Sequence, residues 1–179
     1  MSAIINNEQY RLWVHLRQTY DLLSSYEAEK FSKAHITYEQ YLVLWAIQYF
    51  NSVKKNEPFI LTTLASMIGR NMATVSQIVS RMEKKGLVKK NRDLSDHRAI
   101  RLVITKKGQS IFLDNAKPNL LLVKHLLSVF SENELNTMLC LIKKLKKRVT
   151  DEFGIPQVKQ DHEINNRVNV DNFLKELSS

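Results

Sequence analysis

Between residues 61 and 108 the spacing of apolar residues changes period twice, and few chain topologies accommodate that order. Thr62 can cap a short helix that ends at Ile68, where Gly69 supplies a left-handed turn. Asn71 can cap a second helix that runs to Lys85 and stops at Gly86. Its buried face, Val75, Ile78, Val79 and Met82, follows the three-and-four spacing of a helix. Leu87 and Val88 then open a strand, and Ile100, Leu102 and Ile104 alternate along a second one over residues 100–104. The charged stretch 89–99 reads as the hairpin between them. Thr105 caps a further helix with Gly108 in its first turn.

The flanks are helical. Residues 8–31 carry Leu12, Leu16, Thr19, Leu23 and Tyr26 on one stripe, with Trp13 and Tyr20 beside it. A second helix starts at Thr37, where Thr37 and Gln40 form a capping box and Ile36 and Tyr41 a hydrophobic staple. Tyr41, Leu42, Trp45 and Tyr49 give its apolar face, and polar residues 51–58 read as a loop. Beyond Gly108, Ile111, Phe112 and residues 120–127 supply apolar surface, and Pro118 predicts a kink or a break. Ser131 and Glu134 form another capping box. It starts a helix with Leu135, Met138, Ile142, Leu145 and Val149 at heptad-like spacing, ending near Gly154 and Pro156. Residues 155–179 read equally as a frayed polar tail or as one short helix through Val170, Phe173, Leu174 and Leu177. Four Gly and three Pro in 179 residues agree with a mostly helical chain. The fold class is therefore mostly α (α+β): a winged helix-turn-helix over residues 37–108, an N-terminal dimerisation helix in 1–36, C-terminal dimerisation helices in 109–154, and the tail.

Such a fold presents its third helix to a DNA major groove. Opposite the Val75–Val79–Met82 stripe lie Ala73, Gln77, Ser80 and Lys84, flanked by Thr74, Ser76 and Arg81. Gln can pair bidentately with adenine and Arg with guanine, and Ala or Thr can touch a thymine methyl. Taken alone, these residues read better as an ordinary solvated face. The charge distribution separates the readings. Residues 70–107 hold eleven basic residues against three acidic ones, a net of +8 in a chain whose net charge is +9. Excess charge concentrated on the proposed reading element is the footprint of phosphate binding. Thr62, Asn71 and Arg92 complete the expected DNA-binding set.

The same stretch resembles the MarR family of bacterial transcription regulators. The resemblance is carried by Leu64-Ala65, by Thr74-Val75-Ser76, by the run from Arg81 to Val88, by Asp93-Leu94-Ser95-Asp96-His97-Arg98, and by the run from Leu102 to Gly108. Leu94 stands where the family often has Pro, and Met82 where Leu is usual. The resemblance implies a homodimer on a palindromic operator in double-stranded DNA. It also implies a wing in which Asp96 orients Arg98 for the minor groove. It implies a repressor answering to a small aromatic or anionic effector, for which Trp13, His15, Arg17, Tyr38, Trp45 and Phe112 are the candidates. Aromatic residues at helical spacing are more often core than pocket. The stripes at Leu12, Leu16 and Leu23 and at Leu135, Met138, Ile142 and Leu145 flank the motif, and their expected role is dimerisation; packing on each other within one chain is the competing reading.

Other classes have less support. The sequence contains no phosphate-binding Gly-rich loop and no His-Glu-x-x-His motif, and its five His are scattered, so no enzyme, cofactor or metal site is expected. The single Cys140, between Leu139 and Leu141, is expected to be buried and inert. The run from Lys143 to Arg148 reads as a solvated helix end, where cations suit the dipole. No apolar run approaches the ~18–20 residues of a membrane helix and no signal peptide is visible, so the expected location is cytoplasmic, at the nucleoid, with no membrane partner. The alternative function is a winged protein-interaction module that does not read an operator.

Overall fold

The computed structural model describes residues 6–53, 58–92 and 100–153. Among the described residues, six helices and one antiparallel strand pair follow in the order α1 (Asn7–Ser32), α2 (Tyr38–Val53), α3 (Leu61–Ile68), α4 (Met72–Lys84), β1 (Val88–Arg92), β2 (Ile100–Ile104), α5 (Lys106–Leu127) and α6 (Glu132–Glu152). The expected wing residues Leu94, Asp96 and Arg98 and the tail after Phe153 lie outside the described residues. The chain divides into two compact units, one ending at Tyr41 and one beginning at Leu42, within α2.

In the second unit, α3, α4 and the hairpin pack on one another. Helix α3 begins after Ile60 and not at a Thr62 cap; Ile60 takes the cap position with extended backbone and no side-chain hydrogen bond. The reason lies in the preceding residues. Ile60 forms an antiparallel bridge with Arg101, and the Leu102 N–H donates to the Phe59 carbonyl at 2.8 Å, so pairing with β2 fixes where α3 can start. Gly69 ends α3 with φ 64°, the left-handed turn expected of it. Asn71 caps α4, its side-chain oxygen accepting from the Thr74 N–H at 2.8 Å. Val75, Ile78, Val79 and Met82 are buried, as their spacing predicts.

At the end of α4 the chain reverses. The Leu87 N–H donates to the Met82 carbonyl and the Gly86 N–H to the Glu83 carbonyl, both at 2.9 Å, with Gly86 at φ 70°. This is a Schellman turn, and Met82 and Leu87, the residues that flank it, are both buried. Strand β1 runs from Val88 through Arg92, so residues 89–92 belong to the ladder and not to the connection. Its register pairs Val88 with Ile104 and Arg92 with Ile100. Thr105 caps α5, accepting from the Gly108 N–H at 3.0 Å, while its own hydroxyl faces the Gly86 and Leu87 carbonyls at 2.7 and 3.1 Å.

Helix α2 extends to Val53, past the expected loop start at Asn51. Its burial exceeds a single face: Tyr41, Val43, Leu44, Ala46, Ile47, Tyr49 and Phe50 are all buried. Helix α5 continues through Pro118 without a break. Helix α1 starts at a capping box that the sequence reading missed, in which the Gln9 N–H donates to Asn6 Oδ1 at 2.7 Å. Its end is closed by His35 at φ 55° and by the Ile36 N–H donating to the Phe31 carbonyl at 3.1 Å. The Phe31 ring stacks on Tyr41 with centroids 4.7 Å apart. Helix α6 starts at the predicted Ser131–Glu134 box, and the Ser131 hydrogen bonds hold the Glu134 carboxyl below its ordinary range. That contribution is present at neutral pH and is lost as acid protonates Glu134.

The junction between α4 and α5 yields a prediction. A Cβ on Gly108 would collide with the Leu87 carbonyl oxygen, whereas one on Gly86 meets open space. Gly86→Ala is expected to cost about 1 kcal/mol, the penalty of a left-handed backbone. Gly108→Ala is expected to cost more, about 2–3 kcal/mol, because backbone must move. Equal losses in urea denaturation would refute this account of the junction.

Candidate nucleic-acid interface

The outer face of α4 is built by the burial of the inner one. Because Val75, Val79 and Met82 are held in the core, Ala73, Gln77, Arg81 and Lys84 are exposed on the opposite side. Thr74, Ser76 and Ser80 are half-buried at the flanks, and Thr62 is exposed on α3. The structure therefore brings Ala73, Gln77, Arg81 and Lys84 of the expected reading set onto one exposed face. Arg92 ends β1, and Asp96 and Arg98 lie outside the described residues.

Several of these side chains are engaged within the protein. Asn71 is committed to its cap. Ser80, expected on the reading face, accepts a hydrogen bond from Lys90 Nζ at 2.9 Å. The same ammonium lies 3.1 Å from Glu83 Oε2. Lys107, counted in the basic footprint, donates to the Lys85 carbonyl at 3.0 Å. Sequence reasoning missed the Lys90 and Lys107 contacts because they depend on the reversal at Gly86, which lays β1 beside α4. The hairpin adds exposed basic groups: Lys89 and Arg101 face outward, while Val88 and Leu102 are buried. Exposed Gln and Arg side chains on a helix can reach base edges, and surrounding Lys and Arg can hold phosphates.

The candidate effector residues separate into different environments. Trp13, His15 and Arg17 are exposed on α1, where Arg17 sits 3.8 Å from Asp21 and over the Tyr20 ring at 5.5 Å. Tyr38 is half-buried, with its ring 5.7 Å from that of Phe31. Burial pushes the nearby Glu27 carboxyl up and the Lys30 ammonium down, and each charge partly offsets the shift of the other. Trp45 stacks flat on Tyr49 at 5.2 Å. Phe112 has no accessible surface, so as placed it is core and offers a ligand nothing to touch. Cys140 corrects a second expectation: it is exposed, since no residue of α6 is buried within one chain. Leu12, Leu16, Leu23, Ile142 and Leu145 are likewise exposed, and Leu135 and Met138 half-buried.

Comparison with known proteins agrees with this arrangement. Residues 36–100 match the MarR family. Over 76 residues the chain is 30% identical to the HTH-type transcriptional regulator SarZ of Staphylococcus saprophyticus, covering 42% of this chain. It spans about half the length of that curated relative, 48%. Among solved structures, MepR of S. aureus in complex with DNA superimposes with a TM-score of 0.68 at 19% identity, over 80% of this chain and 99% of that one. The organohalide-sensing transcriptional regulator RdhR, bound to 2,4-dichlorophenol, gives 0.67 at 22% identity, over 80% of this chain and 82% of that one. At these identities the structures establish a shared winged-helix fold.

The capping geometry makes a specific prediction. Asn71→Ala is expected to cost about 1 kcal/mol of unfolding free energy, and Asn71→Ser to recover most of it. An Asn71→Ala protein with unchanged stability would show that the cap does not matter.

Proposed function

From the premise that residues 36–100 are a MarR-family domain, we propose that the chain is a sequence-specific DNA-binding transcription regulator. The observation that carries this reading is the concentration of charge: a net +8 over residues 70–107 in a chain of net +9. Within that stretch Ala73, Gln77, Arg81 and Lys84 are exposed on α4, and Lys89 and Arg101 are exposed on the hairpin. Thr62, Thr74, Ser76 and Arg92 are assigned to phosphates and flanking bases. Asp96 and Arg98 are assigned to a minor-groove contact. Bound over a promoter, such a protein excludes other proteins from the same DNA, so the proposed mode of control is repression. A DNA partner places its work at the nucleoid in the cytoplasm.

The proposed assembly is a homodimer on a palindromic site. Helices α1 and α6 support it: Leu12, Leu16, Leu23, Ile142 and Leu145 are exposed, and an apolar stripe of this length is costly to leave in water. Two-fold symmetry would place two α4 helices in successive major grooves. An effector response through Trp13, His15, Arg17, Tyr38 or Trp45 is part of the proposal, by analogy with the 2,4-dichlorophenol-bound regulator.

Two tests follow. Binding to genomic duplexes should fall steeply with salt, with log K linear in log salt, and one palindromic class should bind at least about a thousandfold tighter than bulk DNA. Affinity that never rises above the bulk value would instead favour a protein-interaction module. On the selected palindrome, Arg98→Ala should cost about 1–3 kcal/mol of binding. The paired substitution Ile142→Asp and Leu145→Asp should shift the protein to monomers in analytical ultracentrifugation. An unchanged sedimentation coefficient would remove α6 from the dimer interface.

A further inference from the structure

The contacts of Lys90 do not fit the role its charge implies. Its Nζ lies 3.1 Å from Glu83 Oε2 and donates to Ser80 Oγ at 2.9 Å. Its backbone N–H donates to the other oxygen of the same carboxylate, Glu83 Oε1, at 3.3 Å. One carboxylate of α4 therefore holds both the main chain and the side chain of one residue of β1. The Lys90 side chain is 24% exposed, against 42% for that of Glu83.

The ladder register explains why this amide is free to turn outward. Lys90 is paired with Leu102, yet the amides of both residues are used outside the hairpin. The Lys90 N–H goes to Glu83, and the Leu102 N–H to the Phe59 carbonyl at 2.8 Å. In an antiparallel ladder this is the behaviour of a non-hydrogen-bonded pair. The middle of the hairpin is thus tied to α4 on one edge and to the segment before α3 on the other. An ammonium has three donors, and here a carboxylate and a hydroxyl occupy two of its directions. Its charge is matched locally, so it has little left to displace counterions from DNA.

We propose that Lys90 is a positioning residue: with Glu83 and Ser80 it fixes the hairpin against α4, so that both elements meet DNA in one relative setting, and it makes no phosphate contact itself. This role rests on the DNA-binding function proposed above. Without the contact the hairpin is free to shift on α4, and binding must then order it, which weakens affinity. The competing assignment, a phosphate contact, has the opposite signature. If Lys90 gripped a phosphate, Glu83 would compete for it and repel the DNA, and removing Glu83 would tighten binding. If Glu83 is the anchor, removing it loosens binding.

The test uses the full chain as wild type, Lys90→Met, Glu83→Ala and the double variant. Each is titrated over a range of salt against the duplex that wild type binds most tightly. Both single variants are expected to bind about fivefold more weakly, and the double variant no more weakly than either, because one shared contact is lost. The salt slope should stay at its wild-type value in all of them, whereas Lys84→Gln should lower it by about 0.9. Amide hydrogen exchange on the DNA-free protein gives an independent readout. Glu83→Ala should speed exchange at the Lys90 amide about tenfold while leaving Val75 and Val79 unchanged. Tighter binding by Glu83→Ala, a reduced salt slope for Lys90→Met, or an unaltered Lys90 amide would each overturn the assignment. A wild type that binds no duplex would defeat the DNA reading and this role with it. The exchange result would still report whether the Glu83–Lys90 contact exists, so the two failures are told apart.

Discussion

The reversal of the chain at Gly86 places the hairpin beside α4, and the rest of the winged unit follows from it. Two hydrogen bonds close the turn, from Leu87 to Met82 and from Gly86 to Glu83, and the left-handed φ of 70° suits a residue without a Cβ. The Leu87 carbonyl then meets the first turn of α5 where Gly108 leaves room for it. Thr105 and Lys107 reach back to the carbonyls of Gly86, Leu87 and Lys85, which follow the last residue of α4. The end of α4 and the start of α5 are therefore joined by polar contacts as well as by packing.

That arrangement sorts the basic residues, which composition treats as equivalent. Lys90 is held by Ser80 and Glu83 of α4 and Lys107 by the Lys85 carbonyl just past its end, whereas Arg81, Lys84 and Lys89 extend from the exposed surface. A charge held by protein acceptors shapes the surface; a charge in solvent acts on what approaches it. The net charge of the segment thus overstates the number of groups offered to phosphates.

The flanking helices show the opposite balance. Helix α6 buries nothing within one chain, and α1 buries only Phe31 among its residues. Under the dimeric proposal these helices would be completed by a second copy, and the stability of the protein would then depend on its concentration.

Much of the fold was legible in the sequence because its signals are local. The caps at Thr37, Asn71, Thr105 and Ser131 each need partners within three residues, and all four form as read. The buried stripe from Val75 to Met82 follows from helical period alone. What the sequence could not determine are contacts between residues distant along the chain. Ile60, and not Thr62, starts α3 because the preceding segment pairs with β2. Residues 89–92 form strand despite their charge because β2 and α4 satisfy their backbone. Cys140 departs from its expected buried environment because burial depends on which helices meet, and helical spacing records only which residues share a face. The sequence alone set the helices, their caps and the location of the charge; tertiary packing decided which of those charges face outward, since that depends on partners brought close only by folding.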